Sequence, residues 1–240
     1  MTGRIVRSMS EMANSLLNII IPRVCAVCGT ALVGGEDVMC LGCRAKMPVT
    51  GQYLRQPNDI HERLISLRAP LCKATSYFLY HRDNPYAKLI HDTKYHGRPK
   101  IGRKLAAEHC RQLLRTSFFD GIDSLVPIPL HPLKYLRRTY NQSEEIAKGI
   151  SAATSLPILT NLKTARYHST QTRKSATDRK LNAAGSFKVH HPEELTGRHI
   201  LLVDDVITTG ATMLEAMETI KATCPSVKLS VFSLALTSNS

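Results

Sequence analysis

The most constraining feature of this sequence is a segment in which an apolar run ends in two acids and a turn of threonines and glycine. Residues 199–212 read HILLVDDVITTGAT. The run from Leu201 to Val203 is typical of a strand buried on both faces, the kind found in parallel sheets. Open parallel sheets bind ligands at the carboxyl ends of their strands. The segment therefore predicts an α/β fold with a ligand site directly after this strand.

The residues that follow the strand favour a phosphorylated sugar. The turn opens a helix whose first backbone N–H groups point at an anion, and Gly210 lets the backbone approach that anion closely. Asp204 and Asp205 can accept hydrogen bonds from two vicinal ribose hydroxyls or hold a cation, and we predict them as the catalytic pair. The residues predicted to bind the 5′-phosphate are Val206, Ile207, Thr208, Thr209, Gly210, Ala211 and Thr212.

Four of the seven cysteines form two Cys-x-x-Cys pairs. Eleven residues separate the first pair from the second, and four thiolates at this spacing suit a closed, tetrahedral zinc site formed by Cys25, Cys28, Cys40 and Cys43. The metal would stabilise a module that is too small for its own core. A redox dithiol and an iron–sulfur cluster stay open as alternatives. An odd number of cysteines argues against a fully paired disulfide framework, so we expect a cytoplasmic protein.

The positive charge of the chain is concentrated in its middle. The net charge is +13, and residues 51–185 carry 23 lysines and arginines against 10 acids, whereas the rest carries nine of each. Such a field favours a polyanion, either nucleic acid or a polyphosphate, although a basic surface without a dedicated partner stays open. No apolar run approaches the roughly 20 residues needed to span a bilayer, so we expect no membrane span.

Apolar periodicity predicts alternating strands and helices, and hence a mostly parallel sheet flanked by helices. The predicted strands are 74–80, 124–128, 158–162, 200–203 and 227–236, and the predicted helices are 8–21, 84–97, 101–114, 142–153 and 211–222. We expect three regions: an amino-terminal helix with a zinc ribbon at 1–50, a linker and hood-like region at 51–120, and the main domain at 121–240.

Together these motifs resemble the ComF family, and the resemblance covers nearly the whole chain. It rests on the acidic pair and Thr/Gly turn, the two cysteine pairs, and the segments KYHG at 94–97, VPIPL at 126–130, RRTYNQ at 137–142 and 171–182. The resemblance implies a type I phosphoribosyltransferase-like fold with an amino-terminal zinc ribbon. It also implies binding of 5-phosphoribosyl 1-pyrophosphate (PRPP) with Mg²⁺.

The resemblance implies roles for further basic residues. Arg137 and Arg138, in the loop that binds pyrophosphate in the similar enzymes, would hold the leaving group, and Lys94 would also bind ligand. The basic segment 163–182 matches a loop that closes over substrate, and within it Arg173 and Lys174 are candidates for nucleic-acid contact. Members of the family more often have glycine where this chain has Thr139.

Two functional hypotheses follow. The first is a phosphoribosyltransferase with an unassigned acceptor, in a protein that takes part in DNA uptake and natural transformation. The second is a non-catalytic single-stranded DNA-binding or regulatory protein that retains the phosphoribosyl cradle. The resemblance implies PRPP or a related ribose phosphate as ligand, and single-stranded DNA and DNA-uptake proteins as partners.

Overall fold

The computed structural model describes residues 23–66, 68–95, 98–130, 135, 138–165 and 186–238. The predicted helix at 8–21 and most of the basic segment at 163–182 lie outside these residues. The chain divides into two compact units, with the boundary between Met47 and Pro48. No helix in the described part of the chain is long and apolar enough to cross a membrane.

The larger unit contains a four-stranded parallel sheet and a two-stranded antiparallel ribbon. The strands in chain order are β1 (Leu71–Tyr80), β2 (Ser124–Pro127), β3 (Leu162–Thr164), β4 (Phe187–Val189), β5 (His199–Ile207) and β6 (Lys228–Thr237). The parallel sheet has the order β1-β6-β5-β2, and β3 pairs with β4 in the ribbon. The strand that contains the acidic pair, β5, is therefore central, as its initial apolar run requires, and it extends through Ile207, beyond the predicted strand 200–203.

Helices cover both faces of the parallel sheet. The described helices are α1 (Leu41–Ala45), α2 (Asp59–Arg63), α3 (Ala87–Tyr95), α4 (Pro99–Leu113), α5 (Gln142–Thr154) and α6 (Ala211–Thr223). Ile200 and Leu202 of β5 belong to one hydrophobic core with α6, and Leu201 and Val203 are equally buried. Since alternate side chains of a strand point to opposite faces, β5 is buried on both sides.

The predicted fold class, a mostly parallel sheet flanked by helices, is confirmed. The predicted strand at 158–162 is wrong: Ile158 forms only an isolated bridge with Leu125, and the strand begins at Leu162. The sequence analysis also missed β4, which it placed in an irregular stretch. Both ribbon strands are three residues long, too short for periodicity to distinguish them from loop. Region 51–120 contributes β1 to the same sheet as region 121–240, and the predicted boundaries stay predictions.

A glycine allows α4 and α5 to cross closely. A Cβ added at Gly149 of α5 would lie 2.1 Å from the backbone oxygen of Arg103 in α4. The Arg103 backbone belongs to a helix and cannot yield as a flexible side chain could. Gly149 therefore sets the distance between these helices, and the position of α5 in turn fixes residues of the cleft described below.

We expect Gly149→Ala to lower the free energy of unfolding by about 2 kcal/mol, because the added methyl group overpacks the crossing. Alanine is a better helix former than glycine, so at a helix position with free space the same substitution would raise the free energy of unfolding. Urea unfolding of the variant measures the effect. Ala152→Gly is the control: it lies at an exposed position of α5 and measures the effect of helix propensity without a change in packing. A Gly149→Ala protein as stable as the parent would contradict the close crossing.

Candidate functional site

A cleft of about 630 Å³ opens at the carboxyl end of the parallel sheet. It brings together residues that the sequence analysis selected from distant segments. The predicted site residues that line it are Lys94, Arg138, Asp204, Asp205, Val206, Thr208 and Thr212. The location agrees with the general rule for open α/β sheets.

Two different partners hold the acidic pair at the end of β5. The Ser143 hydroxyl of α5 donates to Asp204 Oδ1 at 3.0 Å, and the backbone N–H of Asp205 donates to the same oxygen at 2.8 Å. Lys94 Nζ of α3 lies 3.0 Å from Asp205 Oδ2. The Lys94 and Asp205 side chains are 23% and 12% exposed, so this ion pair is partly shielded from water.

The two carboxylates differ in electrostatic environment. Burial of Asp204 and the neighbouring Asp205 charge raise the pKa of Asp204 to about 7 from an ordinary value of 3.8. Its hydrogen bonds from the Asp205 backbone and Ser143 oppose this rise, as does the Lys94 charge. It is therefore unfavourable for both adjacent carboxyl groups to be ionised at once. A ligand that supplies hydroxyl donors or a cation would stabilise the two negative charges.

The turn after β5 rests on α2, which the sequence analysis did not connect with the site. Arg63 donates from Nη1 to the Thr208 carbonyl at 2.6 Å and from Nη2 to the Thr237 carbonyl at 2.9 Å. Gly210 has φ +82°, and a Cβ there would lie 2.6 Å from Leu64 Cδ2. Arg63 thus ties the turn to the end of β6, and the positive φ of Gly210 favours glycine at this position.

The same glycine leaves the start of α6 available to an anion. Gly210 is the N-cap of α6 and supplies no side-chain acceptor to the first turn of the helix. Thr208 and Thr212 line the cleft on either side of this helix start. Backbone N–H groups at an uncapped helix amino terminus form a phosphate-binding nest.

A second loop reaches the cleft before α5. Asn141 is the N-cap of α5: its Oδ1 accepts from Ser143 N at 3.1 Å, and its Nδ2 donates to the Ile128 carbonyl after β2 at 3.0 Å. Tyr140 donates its hydroxyl to the Thr93 carbonyl of α3 at 2.6 Å. These bonds link α3, the end of β2 and the start of α5, and so place Lys94 and Ser143 on either side of the acids.

Thr139, in the loop before α5, adopts a backbone conformation that favours glycine. Its φ is +64°, in the left-handed region that a β-branched residue rarely occupies. The backbone of this loop is therefore strained at Thr139. Next to it, Arg138 Nη1 donates to Gln142 Oε1 at 3.1 Å, which directs the guanidinium along the cleft wall.

The remaining predicted site residues divide into two groups. Ile207 is 2% exposed and packs in the core, and Thr209, Gly210 and Ala211 belong to the turn without lining the cleft. Arg137, Arg173 and Lys174 lie outside the described residues, so their roles stay predictions. Residues that line the cleft but that the sequence analysis missed include Tyr80, Arg82, His91, Ser143 and Thr237.

The smaller unit contains the four paired cysteines as one cluster. The Sγ atoms of Cys25, Cys28, Cys40 and Cys43 all lie within 4.8 Å of one another. Cys28 Sγ and Cys40 Sγ are 3.7 Å apart. Two sulfurs bound tetrahedrally at about 2.3 Å from zinc are separated by about 3.8 Å, so the donor set fits this ion.

Local hydrogen bonds prepare part of this cluster for metal. The Cys28 thiol and Thr30 Oγ1 lie 3.3 Å apart, and hydrogen bonding to Thr30 lowers the pKa of Cys28 to about 6. Burial and the neighbouring thiols raise the pKa of Cys43 well above its usual value. Four thiols gathered without a cation cannot all ionise easily, and a divalent metal removes that conflict.

Comparison with known proteins gives consistent matches. The family model described as phosphoribosyl transferase domain matches residues 140–236. DNA utilization protein YhgH of Escherichia coli K12 is 31% identical over 204 residues, which cover 80% of this chain and 81% of that protein. Competence protein F of Haemophilus influenzae is 33% identical over 140 residues, which cover 56% of this chain and 61% of that protein.

Solved structures with a similar fold share little sequence with this chain. The glutamine PRPP amidotransferase from B. subtilis is 19% identical, with a TM-score of 0.36 over 56% of this chain and 26% of that one. A purine phosphoribosyltransferase from Pyrococcus horikoshii Ot3 is 12% identical, with a TM-score of 0.30 over 57% of this chain and 82% of that one.

We expect Asp204→Asn to raise the free energy of unfolding of ligand-free, metal-free protein by about 1–2 kcal/mol at about pH 8, because it removes a poorly solvated charge beside Asp205. Asparagine retains an oxygen that can accept from Ser143. The folded-state pKa of Asp204 is raised, so the charge destabilises the fold above that pKa, and the gain should shrink as the pH falls from about 7 toward about 4.

Urea unfolding of the parent and variant at about pH 8 and about pH 5 tests this expectation. Asp120→Asn, at an exposed aspartate near the amino end of β2, is the matched control and should change little. If Asp204→Asn is less stable than the parent protein at both pH values, the expected stabilisation is wrong.

Proposed function

This chain belongs to the ComF family, which includes competence protein F and DNA utilization protein YhgH, and we propose that it binds PRPP with Mg²⁺ at the acidic pair near the end of β5. The predicted family and the predicted type I phosphoribosyltransferase-like fold are thereby confirmed. PRPP, its metal and the reaction are our proposal. The family relationship also supports a role in DNA uptake and natural transformation.

One observation carries the proposal. Two carboxylates and the start of a helix without a capping side chain lie close together at one edge of the sheet. Asp204 and Asp205 present oxygen acceptors, and the turn ending at Gly210 presents N–H donors. A ribose 5-phosphate needs this pairing, since its ring hydroxyls donate and its phosphate accepts. PRPP carries both the ribose hydroxyls and the 5′-phosphate, so the acidic pair would bind its hydroxyls and the start of α6 its 5′-phosphate.

The ribose hydroxyls would replace existing partners of the acids. Lys94 now neutralises Asp205, and a ribose hydroxyl that donates to this carboxylate would free the Lys94 ammonium to turn toward a phosphate. Ser143 keeps Asp204 Oδ1 engaged, which leaves Oδ2 for the ligand. Carboxylate oxygens suit Mg²⁺, which when bound would neutralise pyrophosphate charge.

The pyrophosphate would lie toward the loop that follows β2. Pro129 and Leu130 of this loop line the cleft together with Arg138, whose guanidinium can donate two parallel hydrogen bonds to phosphate oxygens. Arg137 is proposed as its neighbour in this role. If transfer occurs, these residues would act by positioning and by stabilising charge on the departing group. The acceptor remains unassigned.

A second candidate function is non-catalytic binding of single-stranded DNA, with the cradle kept as a ligand sensor. The basic excess between residues 51 and 185 favours it. Pyrophosphate release from PRPP in the presence of nitrogen nucleophiles separates the two: turnover establishes the enzyme, and PRPP binding without turnover by any of them favours the sensor.

We also propose that the cysteine cluster holds one structural zinc ion. All four positions around the metal would be filled by protein thiolates, which leaves no open position for catalysis. Metal binding would supply cohesion to the smaller unit, where few residues are available for a core.

PRPP with Mg²⁺ should raise the melting temperature by several degrees at about 100 times its dissociation constant, because selective binding to the folded state adds about 2.7 kcal/mol. The double variant Asp204→Asn/Asp205→Asn should lose this increase. Differential scanning fluorimetry and calorimetry measure the two effects.

The matched control is Asp120→Asn, which removes a carboxylate outside the cleft and should preserve the increase. Ribose 5-phosphate serves as the control ligand that lacks pyrophosphate. Equal affinity of the parent and the double variant for PRPP would refute the role of the acidic pair.

Purified protein should contain about one zinc ion per chain, as expected for one four-thiolate site. Cys28→Ser/Cys40→Ser should lose the metal and increase protease sensitivity around residues 23–47, because two of four ligands are removed. Elemental analysis and limited proteolysis measure this. Cys72→Ser, an exposed cysteine outside the cluster, is the control. Full zinc occupancy in the double variant would contradict the assignment.

A further inference from the structure

A second cleft of about 630 Å³ adjoins the proposed ribose site. Pro129, Leu130 and Asn141 line both clefts, so the two clefts meet at the loop after β2. The far wall of the second cleft is the ribbon of β3 and β4, which contributes Lys163 and Lys188. The positions proposed above for ribose, its phosphate and pyrophosphate do not involve this wall.

The two lysines lie directly opposite each other across the ribbon. Lys163 pairs with Lys188 in the antiparallel register, between the pairs Leu162–Val189 and Thr164–Phe187. Directly opposed side chains share one face, with Cβ atoms about 4.5–5.5 Å apart. Both lysines are exposed, whereas Leu162 and Val189 are buried on the other face. Alternation along the strands therefore places both lysines on the exposed face, and both line the second cleft.

Like charges in this arrangement destabilise a strand pair. Among the residues that the structure describes, neither the Lys163 ammonium nor the Lys188 ammonium has an ion-pair or hydrogen-bond partner. His190 adds a third basic side chain to the same lining, and the one acid of the described lining is Glu144. Glu144 Oε1 is engaged by Asn141 Nδ2 at 3.4 Å. The two opposed lysines therefore repel each other, and an anion bound between them would remove this repulsion.

We propose that Lys163 and Lys188 form a phosphate-binding surface for a ligand that extends beyond the ribose cleft. This inference rests on the proposed function for the neighbouring ribose site. The shared chemistry is a phosphate group whose oxygens accept from two ammonium donors at once. It can come from a free polyphosphate or from the backbone of a single-stranded nucleic acid.

The test compares Lys163→Gln/Lys188→Gln with Arg198→Gln/Lys228→Gln. Both variants lose two exposed positive charges, but Arg198 and Lys228 lie near the amino ends of β5 and β6, at the opposite sheet edge. The probes are inorganic pyrophosphate, measured by calorimetry, and a fluorescent oligodeoxythymidylate, measured by anisotropy across a salt series. The ribbon variant should bind at least one probe about tenfold more weakly than the control variant, with a shallower salt dependence for the oligonucleotide.

The probe that loses affinity identifies the source of the phosphate, and loss of both supports a surface that accepts either. Lys188→Glu provides a second readout: it should raise the melting temperature in low-salt, phosphate-free buffer, since opposite charges stabilise a cross-strand pair, while it weakens binding further. Equal affinities of the ribbon and control variants for both probes, or no binding of either probe by the parent protein at low salt, would overturn the proposal.

The thermal shift with PRPP and Mg²⁺ is measured on the same proteins. Its absence in the parent protein would refute the proposed ribose function, whatever the ribbon variants do. A normal shift in the parent together with unchanged probe binding by the ribbon variant would refute only the phosphate-binding surface.

Discussion

Repulsion between two adjacent carboxylates at the end of a buried strand is the constraint around which the cleft is organised. Asp204 and Asp205 lie near the carboxyl end of β5, where Asp205 is buried and burial raises the pKa of Asp204. Their compensating partners, Ser143 and Lys94, come from α5 and α3. The acids are thus tolerable only where these two helices are correctly placed, which makes the close crossing at Gly149 a condition of the site as well as of the core.

The parts of this arrangement that sequence could predict are those encoded locally. The apolar run of β5, the acids and the turn before α6 are contiguous, so each strengthens the interpretation of the next. Arg63 gave no such signal, because it contacts Thr208 across 145 residues of sequence and lies in a five-residue helix. An arginine in a linker-like stretch is ordinarily solvated, and only the fold reveals that it supports the turn.

Ser143 and Thr139 mark two other limits of prediction. Ser143 follows the Asn141–Gln142 pair directly, yet its contact with Asp204 depends on how α5 lies against β5. Thr139 has a φ of +64°, which indicates that surrounding contacts fix the backbone against the residue's own preference. The bonds from Tyr140 and Asn141 to Thr93 and Ile128 provide such contacts immediately after it.

The two neighbouring clefts each contain a pair of like charges, and the two pairs have opposite sign. Hydroxyl donors or a cation would stabilise the acids near the end of β5, whereas an anion would stabilise Lys163 and Lys188. A simple anion would not reduce the repulsion between the acids, and a simple cation would not reduce the repulsion between the lysines. A ligand with sugar hydroxyls at one end and phosphate at the other, accompanied by a metal ion, satisfies both. The start of α6, where Gly210 supplies no capping side chain, offers the proposed sugar phosphate a separate phosphate position close to the acids.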